Sequence, residues 1–248
     1  MKQESLKALI SKSCNIVFFG GAGVSTESNI PDFRSEDGIY RTVNKYGCSP
    51  EVILSHSFFM NDTEMFYEFY KNNMIFVDAR PNKAHLALAE LEARGLLKAV
   101  LTQNIDGLHQ LAGSSNVLEL HGSVHRNYCM DCREKFSLEY IMNSRSVVPR
   151  CNKCNGIVRP DVTLYEENLN MDVLDSAAAY IKKADMLVVG GTSLAVHPAA
   201  GLIDYYKGDR LVLINKSATS CDYKANLVIN DSIGKVLGEV VELNIKEQ

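Results

Sequence analysis

The stretch "FFGGAGVSTESNIPDFR" at residues 18–34 joins an apolar run to a glycine-rich loop, and it decides the fold. A buried strand that breaks into Gly21-Ala22-Gly23 is how a phosphate-binding loop begins, because backbone N–H groups at the start of a following helix attract a pyrophosphate. The dinucleotide fingerprint G-x-G-x-x-G is incomplete, since Thr26 occupies the place of its third glycine. The sequence predicts a strand, a phosphate-binding loop and a helix here, and it leaves open a tight turn without a ligand.

Four further apolar runs resemble the run before the glycines. They are short and continuous rather than alternating, which is typical of strands buried on both faces of a parallel sheet. Helical patterns lie between them, and these two features together predict an α/β fold with a doubly wound, Rossmann-like parallel sheet. The predicted strands are residues 15–20, 96–102, 184–191, 210–215 and 226–230. The predicted helices are residues 1–15, 81–95, 171–184 and 197–208.

Two segments interrupt this alternation of strands and helices. The first contains an aromatic helical run, "EMFYEFYKNNMIF", and the second contains two CxxC pairs with little apolar periodicity. We expect them to form a smaller inserted module, with a helical part and a zinc ribbon. The predicted division gives residues 1–29, 81–121 and 162–248 to the nucleotide-binding, Rossmann-like domain, and residues 30–80 and 122–161 to the small module.

The CxxC pairs are "CMDC" at 129–132 and "CNKC" at 151–154, with 18 residues between them. This spacing predicts a tetrahedral zinc site with four thiolate ligands, Cys129, Cys132, Cys151 and Cys154. Such a closed site has no position for water or substrate, so its predicted role is structural. A redox dithiol is the alternative interpretation. The three remaining cysteines are expected to be small buried hydrophobic residues; they are Cys14, Cys48 and Cys221.

Composition limits the partners and the compartment. The formal net charge of −4 gives no general attraction to nucleic acid or to an anionic membrane. The sequence contains no uncharged run of eighteen apolar residues, and its first fifteen residues lack the apolar region of a signal peptide. Four of the seven cysteines form two CxxC pairs, which in a reducing cytosol point to a metal site rather than to disulfides. We therefore predict a cytoplasmic protein with no membrane partner, and nucleic-acid binding is not expected.

Polar residues follow apolar runs at three places. The stretches "TQNIDGLHQLAG" (102–113), "ELHGSVH" (119–125) and "GGTSLAVHPAAG" (190–201) each leave a strand. Ligands of doubly wound sheets bind outside the carboxyl ends of the strands, so we expect a shared site there. No strand-ending acidic residue follows the glycines by about twenty positions, which disfavours a hydride-transferring dehydrogenase. For His121 alone, a structural histidine is the default interpretation.

Taken together, these motifs resemble the sirtuin family of NAD-dependent protein deacylases, and they cover nearly the whole chain in family order. The matching stretches are "GAGVS" (21–25), "IPDFR" (30–34), "TQNID" (102–106), "LHG" (120–122), the two CxxC pairs, "GTSLAVHPA" (191–199) and "IN" (214–215). The resemblance implies an NAD-dependent protein-lysine deacetylase. In such an enzyme NAD is consumed: the acyl group passes from lysine to ADP-ribose and nicotinamide is released.

The resemblance also implies the roles of individual residues. His121 would be the general base that activates a ribose hydroxyl, and an imidazole suits this because its pKa lies near working pH. Asn104 would assist catalysis by holding the nicotinamide carboxamide together with Ile105 and Asp106. His125 is nearby, and it is expected to be a surface residue of the zinc module.

The remaining NAD contacts fall into three groups. Implied contacts of the pyrophosphate and the adjoining ribose are Ala22, Gly23, Thr26 and Arg34. Phe33 would shield the nicotinamide pocket, and Gln103 would hold the nicotinamide ribose. Implied contacts at the other end of NAD are Thr192, Ser193, Asn215, Asp231 and Ser232.

Two departures from the family concern the acyl-lysine substrate. Where sirtuins commonly carry Phe-Gly in a substrate-pairing strand, this chain has Tyr165 and Glu166, which places its peptide preference in question. Sirtuins that remove acidic acyl groups carry Tyr-x-x-Arg on a helix of the small module. Here Tyr70 stands three positions after Tyr67, and Lys71 is one residue out of place. We therefore expect neutral acyl groups, above all acetyl.

Two other functions remain open at this stage. The first is an ADP-ribosyltransferase that transfers ADP-ribose from NAD to a protein side chain. The second is a non-catalytic zinc-ribbon adaptor that senses NAD. His121 and the intact "TQNID" favour catalysis over sensing. The expected partners are acyl-lysine-containing proteins or peptides, with NAD as co-substrate and one structural zinc.

Overall fold

A six-stranded parallel sheet forms the larger part of the computed structural model, which describes residues 2–31 and 46–241. Its strands are β1 (Ile16–Gly20), β2 (Leu97–Thr102), β3 (Val117–Glu119), β7 (Met186–Gly190), β8 (Leu211–Ile214) and β9 (Leu227–Ile229). They run in the order β3-β2-β1-β7-β8-β9, and every neighbouring pair is parallel. The direction of winding reverses between β1 and β7, which is where such sheets bind ligands. All five predicted strand ranges are confirmed; no range was predicted for β3, although residues 119–125 were expected to leave a strand.

The helices are α1 (Lys2–Ser11), α2 (Pro50–Ile53), α3 (His56–Asn61), α4 (Thr63–Asn73), α5 (Lys83–Ala93), α6 (Leu108–Leu111), α7 (Leu138–Met142), α8 (Met171–Lys183) and α9 (Ile233–Val240). Side-chain caps explain where several of them begin. Asn82 accepts a hydrogen bond from the Ala84 N–H at the start of α5, and Gly95 follows its end with φ of +73°. The predicted helices at 1–15, 81–95 and 171–184 are confirmed.

Residues that alternate along β1 explain why the strand is apolar throughout. Ile16 and Phe18 pack on one face of the sheet in a cluster that includes residues of α1, α5 and α9. Val17 and Phe19 pack on the other face against α8 and the segment around Ala199–Tyr205. Because both faces are covered, both sets of side chains are buried.

Two predicted helices take a different form. After the glycines the chain makes two single turns of 3₁₀ helix, Ala22–Val24 and Thr26–Ser28, and the second ends at Asn29 with a left-handed φ of 62°. The expected α-helix is therefore absent from residues 21–31. In this segment the Gly23 N–H donates to Gly191 C=O at 2.8 Å, which joins the turns to a distant loop. The segment predicted as a helix at 197–208 is a 3₁₀ helix over Ala199–Tyr205.

The zinc-ribbon segment forms a three-stranded antiparallel sheet in the order β5-β4-β6. Its strands are β4 (Gly122–Cys129), β5 (Lys135–Ser137) and β6 (Val158–Val162). An aromatic core on α4, which includes Phe66 and Tyr70, packs in one cluster with Val124 and Val158 of this sheet. The helical part and the ribbon thus share a core. No helix within the described ranges has the length and apolar character needed to cross a bilayer.

Candidate functional site

The loops after β1 and β7 touch at the point where the winding of the sheet reverses. A Cβ on Gly23 would lie 2.8 Å from the Gly191 Cα, so this close approach requires glycine. Gly191 itself has a φ of +61°, and a Cβ there would lie 2.4 Å from the Val24 nitrogen. Thr26, in the place of the third fingerprint glycine, donates from Oγ1 to Gly23 C=O at 3.1 Å. Gly23 and Gly191 therefore allow the backbones of the two loops to come into contact.

The loop after β2 is tied to the glycine loop by side-chain hydrogen bonds. Asn104 Nδ2 donates to Ser25 Oγ at 3.0 Å, and Ser25 Oγ donates to Asp106 Oδ2 at 2.7 Å. Asp106 Oδ1 accepts from the Leu108 N–H at 2.9 Å. Burial raises the pKa of Asp106, while its hydrogen bonds oppose this shift. Ser25 thus connects the stretch 21–25 with the stretch 102–106, a role that the sequence alone does not indicate.

His121 follows β3 and is held in one tautomer by the backbone. Its Nδ1 lies 2.9 Å from Gln103 C=O; because a carbonyl only accepts, Nδ1 carries the proton and donates. The other nitrogen, Nε2, is then the one that can accept a proton. Burial lowers the pKa of His121, against a smaller opposing effect of the Gln103 hydrogen bond. The imidazole is therefore neutral at physiological pH, as a general base requires.

His125 occupies a different environment from His121. It is exposed, and its Nε2 lies 3.0 Å from Asp106 C=O, to which it donates. It belongs to β4 of the ribbon, as the sequence predicts.

A cavity of about 890 Å³ lies between the carboxyl edge of the parallel sheet and the small module. Its size is within the range of ordinary small-molecule sites. On the sheet side it is lined by predicted site residues, namely Ala22, Gln103, Asn104, Ile105, Asp106, His121, Thr192 and Ser193. On the other side its wall is largely apolar and comes from the small module, including Leu54, Tyr70, Met74, Ile75 and Val124. The structure thus brings residues from three strand exits to one space.

Two buried amide groups beside the cavity lack partners for their N–H donors among the described residues; they are Gln103 Nε2 and Asn215 Nδ2. The oxygen of each amide is engaged by Thr192: Gln103 Oε1 accepts from Thr192 Oγ1 at 3.1 Å, and Asn215 Oδ1 accepts from Thr192 N–H at 2.9 Å. Unsatisfied buried donors are costly, and a ligand rich in hydroxyl and phosphate oxygens would satisfy them. This donor set fits the ribose and phosphate groups of NAD.

Other predicted contacts lie outside the lining of this cavity. Gly23 and Thr26 belong to the glycine loop, and Asn215 follows β8 behind Thr192. Asp231 and Ser232 follow β9, where Asp231 Oδ2 accepts from Lys235 Nζ at 2.6 Å and Asp231 Oδ1 from Ser232 N–H at 2.8 Å. Phe33 and Arg34 lie outside the described residues.

The four cysteines of the CxxC pairs form one cluster. Their sulfurs all lie within 4.8 Å of one another, with 3.4 Å between Cys129 and Cys154 and 3.6 Å between Cys132 and Cys151. Four thiolates around one zinc ion stand roughly 3.8 Å apart, from a zinc–sulfur bond of about 2.3 Å, whereas a disulfide would need about 2.05 Å. The cluster therefore fits a four-thiolate zinc site and does not fit two disulfides.

The two halves of the cluster repeat one backbone pattern. In the first, Cys129 N–H donates to Glu134 C=O at 2.8 Å and Arg133 N–H donates to Cys129 C=O at 3.1 Å. In the second, Cys151 N–H donates to Gly156 C=O at 2.8 Å, and Asn155 N–H donates to Cys151 C=O at 2.9 Å. Arg133 and Asn155 both adopt left-handed backbone conformations, with φ of 63° and 64°. Each pair is a preformed knuckle that points its two sulfurs at a common centre.

The three remaining cysteines are less buried than expected. Cys14 is exposed, while Cys48 and Cys221 are half-buried, so the prediction of buried hydrophobic residues is wrong. The reason for Cys14 is local: the strand β1 begins two residues later, and the thiol lies at the surface, 3.3 Å from Asp185 Oδ2.

Three side chains of helix α4 concern the acyl preference, and they lie in different environments. Tyr70 lines the cavity, while Tyr67 is fully buried in the shared core and donates its hydroxyl to Val158 C=O. Lys71 is absent from the cavity lining; its Nζ lies 3.5 Å from Ser146 C=O and 5.8 Å from the Tyr67 ring centre. Burial lowers the pKa of this lysine. The shift of one residue therefore takes the cation away from the cavity, as the sequence predicts.

Comparison with known proteins gives one consistent result. The model of the Sir2 family matches residues 21–198. An NAD-dependent protein deacetylase of Clostridium tetani is 65% identical over 240 residues, which are 97% of this chain and 97% of that protein. A protein of the same name from Clostridium acetobutylicum is 62% identical, covering 97% of this chain and 98% of the relative.

Solved structures agree with the sequence relatives. A Sir2 variant with a deacetylated p53 peptide and 3'-O-acetyl ADP ribose is 39% identical, with a TM-score of 0.88, covering 98% of this chain and 99% of the other. A Sir2 bound to an acetylated peptide is 38% identical, with a TM-score of 0.86 and 98% coverage of both chains. The chain belongs to the Sir2 family.

Proposed function

We propose that this chain is an NAD-dependent protein-lysine deacetylase that transfers the acyl group from lysine to ADP-ribose and releases nicotinamide. The observation that carries this proposal is the state of His121. Its imidazole is neutral, is held in one tautomer, and lines a cavity together with residues that follow three strands. The clostridial relatives carry the same activity in their names, and related Sir2 structures hold acetylated or deacetylated peptides.

When bound, NAD supplies the ribose carbon that receives the acyl oxygen and the nicotinamide that leaves. The task of the protein is to hold a base beside the ribose and to orient both reactants. With Nδ1–H fixed on Gln103 C=O, His121 presents Nε2 as the atom that removes a proton from a ribose hydroxyl. A protein carbonyl at Nδ1 also stabilises the imidazolium that forms after the proton moves.

Asn104 is the second proposed catalytic residue. Its Nδ2 donates to Ser25 Oγ, which orients the side chain and leaves Oδ1 for the nicotinamide carboxamide. Asp106 already accepts from Ser25 and Leu108, and a carboxylate has about four acceptor positions, so it can still accept from an amide. Ile105 lines the same cavity and would cover the ring.

The remaining cofactor contacts extend from this centre. We propose that Gln103 holds the nicotinamide ribose, which is supported by its partnerless Nε2 donor among the described residues. The other proposed contacts are Ala22, Gly23, Thr26, Phe33, Arg34, Thr192, Ser193, Asn215, Asp231 and Ser232. The cysteine cluster, as a closed set of four ligands, has a structural role for zinc and no part in the chemistry.

The proposed domain division keeps residues 1–29, 81–121 and 162–248 in the NAD-binding domain and assigns 30–80 and 122–161 to the small module. The shared core of α4 and the ribbon supports the second grouping. Limited proteolysis should cut between these groups. The cytoplasmic location and the lack of a nucleic-acid partner stay predictions, which cell fractionation and a binding titration with duplex DNA would test.

The acyl preference follows from the small-module wall. Tyr70 and apolar residues line the cavity there, and Lys71 is directed elsewhere. Burying an acyl carboxylate without a fixed cation is costly, so acetyl-lysine should have a higher kcat/KM than succinyl-lysine on one peptide. A higher kcat/KM for the succinyl peptide would contradict this preference.

The activity itself is tested by incubating the purified protein with NAD and an acetyl-lysine peptide. We expect nicotinamide, O-acetyl-ADP-ribose and free lysine peptide in equal amounts, with no product when NAD is omitted. Labelling of protein by ADP-ribose without any need for an acyl group would instead identify an ADP-ribosyltransferase. Binding of NAD without turnover would identify a non-catalytic adaptor.

A further inference from the structure

Glu166 occupies a backbone position that favours glycine. Its φ is +74°, in the left-handed region where a Cβ causes strain. The carboxylate offsets this strain, because Oε2 accepts a hydrogen bond from Ser57 N–H at 2.9 Å in the first turn of α3. Hydrogen bonds from the side chain and from the backbone N–H of Ser57 lower the pKa of Glu166. The side chain is thus ionised at neutral pH and anchored at one oxygen.

Within the part of the chain that the structure describes, no lysine or arginine pairs with Glu166. Its neighbour Glu167 is paired with Arg159 at 2.6 Å and with His56 at 2.8 Å. Glu166, by contrast, is exposed and forms no ion pair with a lysine or arginine of residues 2–31 or 46–241. It therefore presents a fixed negative charge to solvent and to any molecule that enters beside it.

Glu166 lies where the catalytic cavity opens. It lines both the cavity that contains His121 and a neighbouring outer groove of about 560 Å³. Thr163 N–H donates to His121 C=O at 3.0 Å. Glu166 follows Thr163 by three residues, which is at most about 11 Å of chain. The Glu166 backbone is therefore at most one short strand length from the residue that bonds to the His121 main chain, and both side chains line the same cavity.

The dimensions of lysine place the substrate backbone at this opening. The lysine side chain spans roughly 6 Å from Cα to Nζ by ordinary bond lengths, and successive Cα atoms are about 3.8 Å apart. An acyl group at His121 thus puts the neighbours of the acyl-lysine within reach of Glu166. We propose that Glu166 selects acyl-lysine substrates with an arginine or lysine within two residues of the acyl-lysine, an inference that rests on the proposed deacetylase activity.

Three acetyl-lysine peptides that differ only at the flanking positions test this inference: one with arginine, one with alanine and one with glutamate. We expect kcat/KM to fall in that order, by roughly two- to fivefold between arginine and alanine, the effect of an exposed ion pair. The preference should shrink when ionic strength is raised from 0.02 M to 0.5 M, because salt screens exposed charges.

The Glu166→Gln variant removes the charge and keeps an oxygen that can accept from Ser57 N–H. It should lose the difference in kcat/KM between the arginine and glutamate peptides. The matched control is Asp175→Asn, which removes an exposed charge on α8 outside both cavities and should keep the full preference. Glu166→Gly introduces the residue that suits this backbone conformation. It should show the same loss of discrimination between the peptides as Glu166→Gln.

Two outcomes separate a failure of the proposed deacetylase activity from a failure of the role of Glu166. If no peptide is deacetylated, the proposed function is wrong. If the alanine peptide is deacetylated but wild type and Glu166→Gln show the same order of peptides, the enzyme is right and the role of Glu166 is wrong.

Discussion

Strand β1 and strand β5 mark two extremes of burial in this chain. All five residues of β1 are buried, between apolar clusters that cover both faces of its sheet. In β5, two of three residues are exposed, and the ribbon sheet has only three strands, all within the described chain. The parallel sheet is stabilised by apolar side chains on both faces, whereas the ribbon combines a core shared with α4 and a cluster of four cysteines that fits a metal ion. The two regions meet at the cavity, so each supplies one wall of the same site.

The largest expected effect comes from breaking the ribbon at its metal. In Cys151→Ser, the buried third ligand is lost, and because metal-binding energy is folding energy in such sites, the small module should lose its structure. Zinc content should fall from one per chain to near zero, together with deacetylation. Metal analysis and protease sensitivity of residues 122–161 are the measurements.

Cys14→Ser is the matched control for that variant, since Cys14 is exposed and lies far along the chain from the cluster. It should keep one zinc per chain and wild-type activity. A Cys151→Ser protein with full zinc content and wild-type melting temperature would contradict the structural role of the site.

The next effect tests the sheet region through its acid sensitivity. His85 of α5 and His109 of α6 are fully buried, with ring centres 4.7 Å apart. Burial lowers the pKa of His85 to about 4 and that of His109 to about 3. Both are therefore neutral in the folded protein, while the unfolded chain takes up protons below about pH 6.5.

The free energy of unfolding should accordingly be flat above pH 6.5 and fall as the pH drops toward 4. The loss is on the order of 3 kcal/mol per histidine at full effect. Denaturant titrations between pH 5 and 8 on the zinc-loaded protein measure the slope. A His85→Asn/His109→Asn double variant should have a smaller slope, and an unchanged slope would show that other groups cause the acid sensitivity.

A smaller effect on the free energy of unfolding is expected where α4 packs against the ribbon. Tyr67 donates its buried hydroxyl to Val158 C=O of β6, whereas the buried Tyr70 hydroxyl has no partner among the described residues. Tyr67→Phe leaves a buried carbonyl unsatisfied and should lower the free energy of unfolding by about 1–3 kcal/mol. Tyr70→Phe removes an unsatisfied group and should be neutral or slightly stabilising. Equal losses in both variants would mean that the Val158 hydrogen bond is not what distinguishes the two tyrosines.

Local sequence was sufficient for much of the sheet. Runs such as residues 15–20 are apolar at every position because β1 is covered on both faces, and that pattern is visible without a structure. The cysteine spacing predicted the metal cluster equally well, because the four sulfurs of the two CxxC pairs lie together in the folded chain. The polar residues that follow the predicted strands indicated the position of the site. Eight of the predicted site residues line one cavity.

Features that depend on distant partners were not visible in the sequence. Residues 22–28 form 3₁₀ turns rather than an α-helix, and the Gly23 N–H donates to Gly191 C=O, which lies far along the chain. The contact of His85 with His109 and the position of Ser25 between Asn104 and Asp106 likewise join separate segments. Glu166 was flagged as a departure from the family, but its left-handed φ and its bond to Ser57 required coordinates.

The central claim is that His121 is the base of an NAD-dependent deacetylation carried out between these two walls. It is tested most directly by kcat/KM for an acetyl-lysine peptide in His121→Ala and His125→Ala, with NAD binding measured separately. We expect His121→Ala to lose roughly 10²- to 10⁴-fold and still bind NAD. His125→Ala should lose less than about tenfold, because its ring donates to a carbonyl and is exposed. A His121→Ala enzyme with near wild-type kcat/KM, or a larger loss in His125→Ala, would contradict the account.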